Sequence, residues 1–252
     1  MWRTIAEHLS RGRSFRYRLP RKYGGCRMFL TPEAGLSYWL PNFGVRAAEN
    51  LLRNAAETIK PGCVVWDVGA NMGLFSFAAA GLTGPGGRVY AFEPDAFMMT
   101  LLRRSARLNR LATPVEVIPC AVDGELSLAR FNIAKRSRAS NFLEGFGLSQ
   151  TGGVREMQTV LTVPLDWMAE QIPPPEVLKI DVEGAELGVF RGAARMLQAN
   201  RPAILFEATG ENWKEISPML WNLGYTLYDS DLPADDREPL TRPSYNTLAV
   251  RA

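Results

Sequence analysis

Four acidic residues, Asp67, Glu93, Asp181 and Glu207, each close a short apolar run. Val64, Val65 and Trp66 precede the first, Val89, Tyr90, Ala91 and Phe92 the second, Val177, Leu178 and Ile180 the third, and Ile204, Leu205 and Phe206 the fourth. Such runs read as buried strands of a parallel sheet. In an open α/β sheet, ligands bind at the carboxyl ends of the strands, so these carboxylates converge on one crevice. Burying an unpaired acid costs several kcal/mol, so acids at equivalent strand ends point to a ligand or a reaction rather than to core packing.

The first acid leads into a glycine turn. Gly69 and Gly73 stand four apart and open a run of helix formers over residues 74–80. A strand, a tight turn and a helix leave the first helical N–H groups unpaired and aimed at the turn. Glu93 lies twenty positions beyond Gly73, at the end of the second strand, where a doubly wound sheet holds the hydroxyls of a ribose. The ligand therefore contains a nucleoside. In the G-x-G-x-x-G dinucleotide fingerprint the second glycine lets the backbone approach a pyrophosphate. Here Asn71 takes that place and Asp67 stands two before the first glycine. Asp67 would repel a pyrophosphate but favours a cationic cofactor with a free amino group, and S-adenosylmethionine has both features.

Three blocks, Asp67, Val68, Gly69, Ala70, Asn71, Met72, Gly73; Phe92, Glu93, Pro94; and Leu178, Lys179, Ile180, Asp181, Val182, Glu183, Gly184, Ala185, Glu186, resemble the signature blocks of the FkbM-type methyltransferases. These belong to the class I S-adenosylmethionine-dependent methyltransferases, and the likeness runs from about residue 49 to the C-terminus. It implies an α/β, Rossmann-like sheet, mostly parallel with an antiparallel C-terminal strand. The implied activity is O-methylation of a hydroxyl on a sugar, glycan or secondary metabolite. Asp67 is then expected by the methionine end of the cofactor, the backbone of Gly69, Ala70, Asn71 and Gly73 at its carboxylate, and Glu93 with Pro94 at the ribose. By the same resemblance Ala121, Val122 and Asp123 line the adenine pocket. Asp181 holds the cofactor's amino group or faces the acceptor. Glu183, two residues on and on the same side of an extended strand, is the expected base. Lys179 shares that side and either neutralises the acids or stabilises a developing alkoxide. Asp181, Glu183 and Glu207 supply enough hard oxygen ligands for Mg²⁺, but nothing in the spacing demands a metal.

Two other readings stay open. N-methylation or nucleic-acid methylation rests on the basic N-terminal stretch alone, and Asp181, Val182, Glu183 and Gly184 stand where exocyclic-amine methylation uses an asparagine-proline tetrapeptide. The other is a non-catalytic module that binds the cofactor, against which stand the intact acids of every block.

The elements that must position these residues follow from the rest of the chain. It has 252 residues, 46% hydrophobic and 22% charged, values of an ordinary globular α/β domain. Residues 1–27 hold eight Lys or Arg against Glu7, although the whole chain is only +3, so the basic excess is confined to one arm. With Trp2, Phe15, Tyr17 and Tyr23 interleaved, that arm either packs on the protein or meets an acidic partner. Residues 27–30 and 36–40 read as a hairpin flap. Residues 1–48 are thus expected as a basic arm with a hairpin, and 49–252 as the methyltransferase domain. No apolar run is long enough to span a bilayer. Glu7 and His8 interrupt any signal core, which reads as cytoplasmic. Cys26, Cys63 and Cys120 show no paired spacing and read as small buried hydrophobes. The single histidine, His8, leaves no His-based metal site or triad.

Helices are expected over residues 49–60, 96–110 and 186–197, and a third strand over 115–122. Residues 126–133 alternate like an antiparallel strand. Residues 134–160 lack periodicity and read as a glycine- and serine-rich substrate loop offering Arg136, Arg138 and Arg155 to an acceptor. Asn212 reads as a helix cap. The chain closes with two strands, 225–229 and 247–251, without a helix between them.

Overall fold

A computed structural model describes residues 2–109, 113–146, 151–208 and 210–251, with the backbone alone for 2–4. The chain opens with α1 (Trp2–Leu9), β1 (Phe15–Arg18), β2 (Arg27–Leu30), α2 (Pro41–Ala47) and α3 (Glu49–Thr58). Next come β3 (Val64–Val68), α4 (Leu74–Thr83), β4 (Arg88–Phe92), α5 (Ala96–Arg107) and β5 (Val115–Ile118). A run of strands follows: β6 (Ala121–Val122), β7 (Ser127–Ala134), β8 (Phe142–Leu143) and β9 (Val154–Val163). The last part contains α6 (Leu165–Gln171), β10 (Val177–Ile180), α7 (Glu186–Arg191), α8 (Ala194–Asn200), β11 (Ala203–Glu207), α9 (Trp213–Asn222), β12 (Tyr225–Asp229) and β13 (Asn246–Arg251).

The main sheet has seven strands in the order β12-β13-β11-β10-β3-β4-β5. β11, β10, β3, β4 and β5 run parallel, and β13 is antiparallel to both its neighbours. The strand order reverses between β3 and β10, which opens a crevice at their carboxyl ends. Alternation along the strands builds two cores. Val65, Val89, Val177 and Leu205 face α3, α4 and the N-terminal ribbon. Trp66, Tyr90, Leu178 and Phe206 face α7, α8 and α9.

The N-terminal segment departs from the hairpin expected of it. β2 pairs with β1, and Leu36–Trp39 is a 3-10 turn. The N–H groups of Arg27 and Phe29 are taken by Asn109 Oδ1 and Ser105 Oγ, so α5 and the residues after it occupy one edge of β2 and leave the other to β1. Met28 and Leu30 are fully buried in the core. The ribbon docks on α4 through glycines: a Cβ on Gly81 would lie 2.5 Å from Gly24 Cα, a space that only glycine leaves open.

Four other expectations change. The third strand is split at Pro119: β5 stays in the main sheet, while β6 pairs with β9 in a second, four-stranded sheet of order β6-β9-β7-β8. Much of the expected loop over 134–160 is therefore strand, because Val154–Val163 pairs with β7 over nearly its whole length. Arg110, Gly147 and Ser149 of these expected segments lie outside the described residues. The helix after β10 is broken near Gly192 into α7 and α8, and Asn212 makes no side-chain cap but donates to Gly184 O at 3.1 Å. Among the described residues no helix is long and apolar enough to cross a membrane.

Candidate active site

Strand β3 delivers the chain into the glycine turn. Gly69 has φ +76°, and a Cβ there would meet Asp181 O. The turn after β3 and the turn after β10 therefore touch, and only glycine permits it. Gly69 and Ala70 donate their N–H groups to Phe92 O at 3.1 and 3.0 Å, tying the turn to the end of β4. Gly73, with φ +92°, lies beneath the turn, where a Cβ would strike Leu102 and Phe77. It does not reach the cavity.

That cavity, of about 280 Å³, lies over the carboxyl ends of β3, β4 and β10. Gly69, Ala70, Asn71, Glu93, Pro94, Ala121, Val122, Lys179, Asp181 and Glu183 of the expected set are on its wall. Glu93 is almost fully buried there. Its Oε2 accepts from Asn71 N–H at 2.7 Å and its Oε1 from Asp95 N–H at 2.8 Å. Burial, reinforced by the charge of Asp95, pushes its carboxyl up to about 8.

Besides Gly73, two expected cofactor residues stand elsewhere. Asp67 is fully buried and points under the cavity floor. Ser76 Oγ of α4 donates to its Oδ2 at 2.5 Å, and Lys179 Nζ lies 3.3 Å from its Oδ1. The alternation of β3 turns this side chain towards α4, where it fixes Lys179 instead of lining the cofactor cavity. Asp123 also faces away: it accepts from Gly124 N–H at 2.8 Å and packs against Gly188. The chain has already left the main sheet at Pro119, so its side chain turns to α7.

Around Lys179 the acids form a graded set. Lys179 Nζ donates to Gly69 O at 2.8 Å and lies 3.2 Å from Asp181 Oδ2. Burial opposes its charge, but Asp181 and Asp67 hold it above the usual lysine value. Glu183 sits in the turn after β10 with φ +53°, not in the extended strand expected for it, and still faces the cavity. Burial, then repulsion from Asp181 and Glu207, pushes its carboxyl up to about 8. Glu207, at the end of β11, is pushed up to about 7 by burial and by Asp181. Tyr245 donates its hydroxyl to Glu207 at 2.6 Å.

The remaining wall comes partly from the expected flap and loop, Ala34, Tyr38 and Arg138 among them, and partly from residues not singled out in the sequence. Ala34, Tyr38, Ala48 and Leu51 cover the cavity from the N-terminal segment, and Phe131, Arg138, Asn141 and Leu143 from the second sheet. Arg138 is not offered to an acceptor: Nε meets Glu33 Oε2 at 2.9 Å and Nη1 meets Asp95 Oδ2 at 2.5 Å. Asn141 donates to the same Asp95 oxygen at 2.9 Å, and Arg155 meets Glu33 at 2.9 Å. Arg136 packs against Gly152. All three cysteines are buried and free, and burial pushes the thiol of Cys120, on the cavity wall, up to about 12. Among the described residues no group of three or more His, Cys, Asp or Glu is arranged to hold a metal ion.

A seven-stranded sheet with this order, an antiparallel strand beside β11, a glycine turn after β3 and an acid after β4 define a Rossmann-like, class I S-adenosylmethionine-dependent methyltransferase. Comparison with known proteins narrows the class: the family described as the methyltransferase FkbM domain matches residues 67–227, and the chain belongs to that family. It is 28% identical to the hexuronic acid methyltransferase AglP of Haloferax volcanii over 180 residues, covering 70% of this chain and 69% of that protein. It is 43% identical to the 31-O-demethyl-FK506 methyltransferase FkbM of Streptomyces tacrolimicus over 79 residues, 31% of this chain and 29% of that protein. Among solved structures, a methyltransferase FkbM from Methylobacillus flagellatus aligns with a TM-score of 0.51 at 16% identity. That alignment covers 79% of this chain and 52% of the other, so this chain spans about half of that protein, and the likeness is one of fold.

Proposed function

We propose that the chain transfers a methyl group from S-adenosylmethionine to a hydroxyl of a sugar, glycan or small metabolite. The relative from Haloferax is named for a hexuronic acid and that from Streptomyces for 31-O-demethyl-FK506, which supports an acceptor of this kind. The observation that carries the reading is Glu93. A carboxylate buried at a cavity wall, held at both oxygens by backbone N–H groups, is fitted to accept from the paired hydroxyls of a ribose. The cofactor fits the other walls as well. Ala121, Val122, Phe131 and Leu143 give an apolar flank for a base.

When bound, S-adenosylmethionine supplies a methyl group on a cationic sulfur. The turn at Gly69, Ala70 and Asn71, its N–H groups spent on Phe92 O and Glu93, would border the methionine end of the cofactor, and Asp181, a third exposed, would hold its amino group or the acceptor. Glu183 is the base: it faces the cavity from the turn after β10, its carboxyl is pushed up to about 8, and it takes or orients the acceptor proton. Glu207, steadied by Tyr245, orients the same hydroxyl. Lys179, tied to Gly69 O, holds the two turns together and pairs with Asp67. Mg²⁺ is not needed for this division of labour.

Calorimetric titration with S-adenosylhomocysteine, with NAD as the control, tests the cofactor. Saturable binding of the first alone is expected, and Glu93→Ala should weaken it roughly tenfold to 100-fold, the cost of losing hydrogen bonds to a charged group. Unchanged affinity in Glu93→Ala would remove the ribose assignment. Tight binding without turnover on any acceptor would favour a cofactor-binding module instead.

A further inference from the structure

A second cavity, of about 590 Å³, opens on the other side of Lys179 and Asp181 from the glycine turn. It is lined by the ends of β10 and β11, by α3 and by the residues that follow β12 and begin β13. We infer that this cavity is the acceptor subsite and that its occupant is an uncharged polyol, such as a neutral sugar ring, in preference to a uronate. The inference rests on the methyl-transfer reading.

Its place is the first argument. Lys179, Asp181 and Glu207 line both cavities, as do Ala48 and Leu51. A molecule seated in the second cavity therefore reaches the carboxylates that face the cofactor cavity.

Its chemistry is the second. Asn50, Asn54, Ser230, Asp231 and Asn246 present planar amide and carboxylate groups beside a hydroxyl. Vicinal ring hydroxyls both donate and accept, and groups of this kind match them in pairs. The set is held in advance of any ligand. Asn50 and Asn246 donate to Asp231 at 3.0 to 3.2 Å, and Asn54 donates to Ser230 O at 2.9 Å. Arg53 donates to the carbonyls of Ser230, Asp231 and Leu232, which pins the segment after β12. Preorganisation of this kind lowers the ordering cost of binding. Leu51 and Leu205 add an apolar floor for the C–H face of a ring.

Charge decides between a neutral and an anionic ring. Asp181, Glu207 and Asp231 face the cavity, and Lys179 is the one cation among its described lining residues. Lys179 is already committed to Gly69 O, Asp67 and Asp181. Arg53 is committed to the loop carbonyls, and Arg237 to Glu57 and Asn54. An acceptor carboxylate would meet acids and no uncommitted cation, and like-charge juxtaposition of this kind is strongly unfavourable.

Saturation-transfer NMR on the protein loaded with S-adenosylhomocysteine tests this, with methyl glucoside, methyl galactoside and methyl mannoside each beside its C6-carboxylate. At least one neutral glycoside should bind, with its uronide weaker by about tenfold or more. Asn246→Ala should abolish the signal while the calorimetric heat of S-adenosylhomocysteine binding persists. Asp231→Asn, which keeps the shape and removes one charge, should narrow the preference. A uronide that binds as well as its neutral partner, binding by none of the neutral glycosides, or a signal that survives Asn246→Ala overturns the inference. Failure of S-adenosylhomocysteine to bind, read separately on the same sample, would count against methyl transfer itself.

Discussion

At the scale of single residues, the acids of this chain divide by what each one touches. Asp67 is fully buried beside a lysine and a serine hydroxyl and serves the scaffold. Glu93 is buried beside another acid and awaits donors, which is why its carboxyl lies near 8. Glu183, also near 8, is the group on which the rate should depend. A base works only when deprotonated, so kcat/KM should rise with pH through about 8 and level above it. Glu183→Gln should lower kcat by roughly 100-fold or more and remove that rise, as a pH-rate profile on any accepted substrate would read. A profile that keeps its limb in Glu183→Gln would transfer the role to Glu207.

At the scale of elements, a buried ion network joins three pieces that lie far apart in sequence. Arg138 of the second sheet binds Glu33 of the N-terminal segment and Asp95, which caps α5 by accepting from Phe97 N–H at 2.9 Å. The guanidinium also lies over the ring of Phe97. Removing it leaves buried Asp95 without its cation and Glu33 with Arg155 alone, a loss that typically costs about 3–5 kcal/mol. Arg138→Met should therefore lower the unfolding free energy read from urea denaturation by that amount and weaken S-adenosylhomocysteine binding, since Arg138 is itself on the cavity wall. A variant as stable as the parent would mean that the network contributes only orientation.

At the scale of the whole molecule, the basic N-terminal stretch packs on the protein. Tyr23 and Met28 belong to the same core as Phe77 and Leu52, and Lys22 pairs with Glu49 of α3 at 2.9 Å. Two of its arginines lie over aromatic rings, Arg13 over Trp39 and Arg16 over Phe29. Met28→Ala leaves a cavity in this shared core and should cost about 2–5 kcal/mol. Because the core is shared, calorimetry should show one transition moved to lower temperature. Two transitions, with only the first displaced, would make residues 1–48 an independent unit.

The local pattern determined much of this protein. Strand, glycine turn and helix from Val64 to Ala80 are written in short-range sequence, because a turn at positive φ demands glycine and a parallel strand demands an unbroken apolar run. The acid at Glu93 and the antiparallel ending are legible for the same reason. What only the tertiary structure decided are contacts between distant segments. Whether Leu30 continues to a hairpin or turns back on β1 depends on Ser105 and Asn109 filling one edge of β2. Whether Arg138 meets an acceptor or Glu33 and Asp95 depends on where a strand some forty residues past Asp95 folds back. Alternation gave Asp67 a face but not what lay on it, and the neighbour turned out to be Ser76 and Lys179 rather than a ligand. A sequence specifies which groups want partners; only packing, through the long-range contacts it closes, determines which partners they receive.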